Sequence, residues 1–133
     1  MKRRAALLLT IFCVCVFAAC SSENEGISLN IPAASEIELR SEMTDKSIKI
    51  TDKEDIEYIT DNFNAQRYIK DKKNNDGGYS YSLKWYDTEG NLLFCAMVIN
   101  PDRISYGNGF YNKAQINTEI DTVFLERMLK NGE

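Results

Sequence analysis

The sequence predicts an α+β fold, with an antiparallel sheet of five or six strands and two helices packed on one face. Three observations predict it. Short runs such as Glu36-Ile37-Glu38-Leu39-Arg40 and Tyr79-Ser80-Tyr81-Ser82-Leu83-Lys84-Trp85 alternate with the period of a half-buried strand. Two other segments carry apolar residues at helical spacing: Ile56, Ile59 and Phe63, then Ile120, Val123, Phe124 and Met128. Between the strand-like runs stand brief turn signals, so successive strands fold back as hairpins.

The chain begins with an address. Lys2, Arg3 and Arg4 form a positive start, and Ala5 to Ala19 is apolar except for Thr10. That run is shorter than the roughly 18–20 residues a helix needs to cross a bilayer. It ends on Phe17-Ala18-Ala19-Cys20, which resembles the lipobox of bacterial lipoprotein precursors, with Phe17 where leucine is commonest. The resemblance implies that residues 1–19 are a signal peptide removed by cleavage. It also implies that Cys20 becomes the N-terminus, with a diacylglyceryl group on its sulfur. Two acyl chains anchor stably where one binds only marginally. The expectation is a lipid-anchored protein at the cell membrane, facing outside the cytoplasm.

Losing Lys2, Arg3 and Arg4 takes the 16 basic residues to 13 against 20 acidic ones, a net charge of −7 for the mature chain. Nucleic acid selects basic faces, so that partner is excluded. Of the four cysteines, Cys13 and Cys15 leave with the leader and Cys20 carries lipid. Only Cys95 remains, so no intramolecular disulfide forms. The chain has no histidine. Ser-His-Asp and Cys-His chemistry and the commonest zinc ligand go with it. No cofactor and no metal site are expected.

Residues 20–26 read as a polar lipidated tether, and 27–133 as one domain. Ile27, Leu29 and Ile31 alternate with polar residues, as a first short strand or the end of the tether lying on the domain. Glu36–Arg40 and Ser47–Ile50 are strands joined by a turn over 42–46. Thr51 opens the first helix, with Glu54 placed to complete a capping box. The helix fades near Asn62 or Asn64. Residues 71–78 read as a loop. Its Asp and Asn residues resemble a calcium loop, but Lys72 stands where the first ligand should be.

After the Tyr79–Trp85 strand comes a turn at Asp87–Gly90, with Tyr86 facing Asn91. Leu92 to Ile99 is apolar throughout, which suits a central strand. Asn100-Pro101-Asp102 turns the chain, and Asn108-Gly109 is a type I′ hairpin signal. Thr118 opens the last helix, with Asp121 at its third position, and Gly132 ends it.

Leu29-Asn30-Ile31-Pro32-Ala33-Ala34-Ser35-Glu36-Ile37 and Ile50-Thr51-Asp52-Lys53-Glu54-Asp55-Ile56 look like small lipoproteins and exported domains of Gram-positive bacteria classed as domains of unknown function. The resemblance spans roughly residues 27–131. It implies an extracytoplasmic domain and carries no functional residues over.

These observations predict a membrane-anchored binding or interaction module without catalysis, whose partner is an envelope protein, a peptide or a glycan. A module that blocks a partner enzyme is one form of it. The candidate binding face is the second side of the sheet. The expected pairing sets Lys84 against Leu93, Ser82 against Cys95 and Ser80 against Met97, giving an apolar stripe with a polar rim. Either Ile27–Ile31 or a curled sheet edge covers that stripe, or a partner does. Cys95, mid-strand, has its thiol pKa raised by desolvation and is no nucleophile. The alternative is a small carboxylate-dependent hydrolase, for which Glu42, Asp45, Asp87 and Glu89 would have to converge.

Overall fold

A computed structural model describes residues 26–71, 78–107, 109–113 and 118–132. The leader, Cys20 and most of the tether lie outside these residues, as does the calcium-like stretch 72–77. In chain order the elements are β1 (Glu36–Ser41), β2 (Ser47–Ile50), α1 (Lys53–Ala65), β3 (Tyr68–Asp71), β4 (Tyr81–Tyr86), β5 (Leu92–Asn100), β6 (Arg103–Tyr106), β7 (Gly109–Lys113) and α2 (Thr122–Asn131). All seven strands form one antiparallel sheet in the order β2-β1-β4-β5-β6-β7-β3. The fold is α+β, with seven strands where five or six are expected. The added strand is β3, in a stretch whose apolar pair Tyr68-Ile69 does not alternate.

One face of the sheet carries the core. Ile37, Leu39, Leu83, Trp85, Ala96, Val98 and Ile104 are almost wholly buried there. Strand alternation puts them on one side, and the register brings them together: Ile37 lies opposite Trp85, Leu39 opposite Leu83, and Leu83 opposite Ala96. Both helices pack on this face. From α1, Ile56, Ile59 and Phe63 are buried, and the Phe63 and Trp85 rings meet edge to face at 5.2 Å. The Trp85 indole N–H donates to the Thr60 hydroxyl at 3.0 Å, and that hydroxyl donates to the Ile56 carbonyl. The one polar atom of the central tryptophan is thereby satisfied inside the core. From α2, Leu125 and Leu129 are buried rather than the expected Val123, which is exposed, and Phe124 and Met128 are only partly buried. The Tyr81 hydroxyl donates to Glu126.

Both caps lie downstream of where the sequence pattern places them. Asp52, not Thr51, caps α1 by accepting from the N–H groups of Glu54 and Asp55. Asp121, not Thr118, caps α2 by accepting from the N–H of Phe124. In both pairs the carboxylate wins, because charge strengthens its bonds to the orphan donors of a helix start. The helix α1 runs on to Ala65. The two helices are latched to each other. Tyr58 donates to Asp121 at 2.6 Å, and the Asn62 side chain accepts from Asp121 N–H and donates to the Glu119 carbonyl.

The Ile27–Ile31 segment forms no strand. Ile27 makes an isolated bridge to Tyr68 on the outer edge of β3. Ile31 turns into the core, its backbone N–H and carbonyl both held by the Asn64 side chain at 2.7 and 3.0 Å. It therefore covers the helix side, not the second face. The β6–β7 turn is also shifted by one. Tyr106 pairs with Gly109, so Gly107, with φ of 55°, stands in the turn and Gly109 in the strand. Asn108 lies outside the described residues.

Candidate interaction face

The second face of the sheet has no helix over it among the described residues. Its geometry follows from the β4–β5 hairpin. Asp87 organises that turn: its carboxylate accepts from the N–H groups of Glu89 and Asn91 and from the Asn91 amide, and Gly90 takes φ of 81°. The hydrogen bonds from Asn91 hold the Asp87 carboxyl below the usual range. The loop runs through Asn91, and a bulge follows, because Trp85 pairs with Phe94 while Tyr86 pairs with Leu92.

The expected register is thereby corrected by two residues. Ser82 faces Met97 and Lys84 faces Cys95. A slip of two keeps every side chain on its side, whereas a slip of one would have exchanged the faces. Leu93 sits in the bulge and packs against the core cluster, and Leu92 is left 55% exposed. The other residues expected on this face fall as follows. Ser82, Cys95 and Met97 are half-buried neighbours in the middle of the sheet. Ser80 precedes β4, and its hydroxyl donates to the Ile99 carbonyl at 3.2 Å.

The pairing builds a row across all seven strands: Ser47, Arg40, Ser82, Met97, Ser105, Phe110 and Asp71. Its two halves differ. Over β2, β1 and β4 the face is charged, with Glu38 opposite Lys49 on one side and Lys84 on the other. Lys49 also reaches Glu36 at 3.6 Å, and Arg40 reaches Glu42 and Asp45 at 3.3 and 2.5 Å. Such opposite-charge neighbours stabilise a sheet modestly. Over β5 to β3 Cys95, Met97 and Phe110 stand with Ser105 and Asn112 around a nearly buried ion pair. Arg103 and Asp71 meet at 2.9 Å with side chains only 9% and 16% exposed, and the guanidinium lies 5.1 Å from the Phe110 ring centre. Sequence reasoning misses this pair. Arg103 looks like part of the Pro101-Asp102 turn, and Asp71 belongs to the strand the pattern does not reveal.

Cys95 is half-buried, and burial raises its thiol pKa against the opposing pull of Lys84. The loop carboxylates split into two groups. Glu42 and Asp45 lie beyond the Ser41–Tyr81 end of the β1–β4 pair, and Asp87 and Glu89 beyond the Glu36–Tyr86 end. Five strand steps separate the ends, roughly 17 Å. The four carboxylates therefore do not converge on one site; within each group the two share a partner, Arg40 for Glu42 and Asp45, Asn91 for Asp87 and Glu89. Among the described residues no three metal-ligating side chains cluster, and no helix is long and apolar enough to cross a membrane. No family model matches this chain, and neither a curated protein nor a solved structure matches it.

Proposed function

We propose that this protein is a lipid-anchored extracytoplasmic module that binds an envelope protein through the open face of its sheet, without catalysis. The observation that carries the reading is the one-sided packing. Both helices serve one face, and the other offers half-buried Ser82, Cys95 and Met97 with charged residues beside them. An apolar centre with a polar rim matches the anatomy of protein–protein interfaces better than a glycan site. A fixed ladder of strands presents that surface already ordered, which lowers the entropy cost of binding. The four loop carboxylates do not converge on one site, and each pair is engaged by Asn91 or Arg40.

The test places a photo-crosslinking residue at Met97 or Ser82 in the anchored protein, with Lys53 on the exposed side of α1 as control. A discrete adduct from the sheet positions and none from Lys53 is expected. Met97→Asp abolishes the adduct formed from Ser82 and leaves thermal unfolding within a few degrees of the parent. Equal crosslinking from Lys53, or collapse of the fold in Met97→Asp, would sink the reading. The anchor has its own check. Mass spectrometry finds the mature N-terminus at an acylated Cys20, and Cys20→Ser is released from the membrane. A fully membrane-bound, normally processed Cys20→Ser variant refutes it.

A further inference from the structure

The sheet has two ends, and they are finished differently. At the β3 end, Ile27 exchanges two backbone hydrogen bonds with Tyr68, at 2.7 and 3.0 Å. At the β2 end the outward groups belong to Ser47 and Lys49. Ser41 N–H donates to the Lys46 carbonyl, so residues 46, 48 and 50 turn their backbone groups toward β1. Those of Ser47 and Lys49 point away, and neither residue has a backbone partner there among the described residues. Beside this edge lies a cavity of about 480 Å³. It is lined by the strand and by Asp52, and on the helix side by Met128, Asn131 and Gly132.

Native sheets usually blunt such an edge with a proline, a bulge, charged side chains or a very short strand. Here β2 is short, at four residues, but it has no proline and its register with β1 is unbroken. Its one lysine, Lys49, is matched by Glu36 at 3.6 Å.

We propose that β2 is the docking edge for a second copy of this chain. The two β2 strands pair antiparallel about a two-fold axis at Ile48 and join two sheets into one. Register and charge point to this occupant. With the axis at Ile48, Ser47 of each copy lies opposite Lys49 of the other, and their outward groups form four N–H···O bonds. Half-buried Ile48 meets its own copy on the helix side. Lys46 lies diagonally across from the other copy's Asp52, twice over, within reach of a long side chain. The alternative axis at Lys49 sets lysine against lysine, and like charges directly opposite are destabilising. Of these two axes, the charges of the strand favour the one at Ile48. This edge lies two strands away from Ser82 and three from Cys95 and Met97, so the two proposals stand or fall independently.

The test is sedimentation of the full chain in detergent micelles, across a concentration series. A concentration-dependent dimer is expected. Lys49→Pro deletes an outward N–H and leaves the β1 ladder bonds intact, because proline is tolerated at a strand edge. It weakens the dimer roughly tenfold or more, since each copy loses one of the bridging donors. Ser47→Pro does the same, and Ser47→Ala has no effect. Circular dichroism confirms that the proline variants keep their folded signal. In a variant that does not, Lys46→Glu serves instead and weakens the dimer through the Asp52 contact. A wild-type chain that stays monomeric at about 100 μM overturns the proposal, and so does a dimer indifferent to these substitutions. A monomer that pairs instead with an added extended peptide, in a Lys49→Pro-sensitive way, overturns it in favour of a foreign strand.

Discussion

The two faces of this sheet are built from the same strands and obey opposite rules. On the covered face, successive residues of β4, Tyr81, Leu83 and Trp85, are buried, and each lies opposite an apolar partner on β5. On the open face the alternate residues Ser82, Lys84 and Tyr86 are half-buried, and they meet Met97, Cys95 and exposed Leu92. One face is held by exclusion of water from jigsaw packing. The other is held by exposed ion pairs and by one pair, Arg103 with Asp71, that is nearly buried. Area removed from water is the large term in folding, so the covered face determines stability and the open face is free to vary with a partner. Arg103 and Asp71 are the exception. They place a nearly buried charge pair on the face that otherwise contributes little.

The sharpest break of this contrast is Trp85→Ala. It removes the central ring, opens a cavity and strips Thr60 of its indole donor, for an expected loss of about 3–5 kcal/mol in urea unfolding. Next comes Arg103→Met, which leaves Asp71 without this charge partner and costs about 3 kcal/mol. The double change Arg103→Met with Asp71→Leu recovers most of that loss. Failure to recover would mean that the pair itself stabilises the open face. Asp121→Ala tests the covering layer through its cap and costs about 1 kcal/mol. The hydrogen bond from Tyr58, followed by that from Phe124 N–H, lowers the Asp121 pKa in the folded state. The stability linked to it is therefore fully present above the unfolded value of about 3.9 and drains away as pH falls through the lower, folded value. The gap between Asp121→Ala and wild type should accordingly shrink on acidification. Smallest is Ser82→Val, expected within about 0.5 kcal/mol because no buried partner is lost.

Much of the covered face was legible in the sequence, because burial on one side writes a period into the chain. Tyr81, Leu83 and Trp85 alternate, and Ile56, Ile59 and Phe63 recur at helical spacing, so strand and helix announce themselves. The hairpin register was not legible. It turns on the bulge at Tyr86 and Leu92, which the loop geometry of Asp87, Gly90 and Asn91 creates and no periodicity encodes. Edge strand β3 was hidden for a related reason. Four residues with apolar neighbours at 68 and 69 hold too little alternation, and their pairing partner β7 lies some forty positions away. Capping types were readable but their positions were not, since Thr51 beside Asp52 offers two competing acceptors. As for the candidate face, Ser82, Cys95 and Met97 follow from alternation alone, whereas Arg103 and Asp71 depend on a long-range pairing.

The bridge at Ile27 has a mechanical meaning. Tension applied to the chain ahead of Gly26 meets the two bonds between Ile27 and Tyr68 before it meets any ladder of the sheet. Each such bond is worth only about 1 kcal/mol net. They give way first, and the strain then stops at Ile31, which the Asn64 side chain grips on both its backbone groups. The stretch from Ile27 to Ile31 can then lengthen until it spans at most about 14 Å. A domain held at a surface by its N-terminal side thus gains reach under load while all seven strands stay paired.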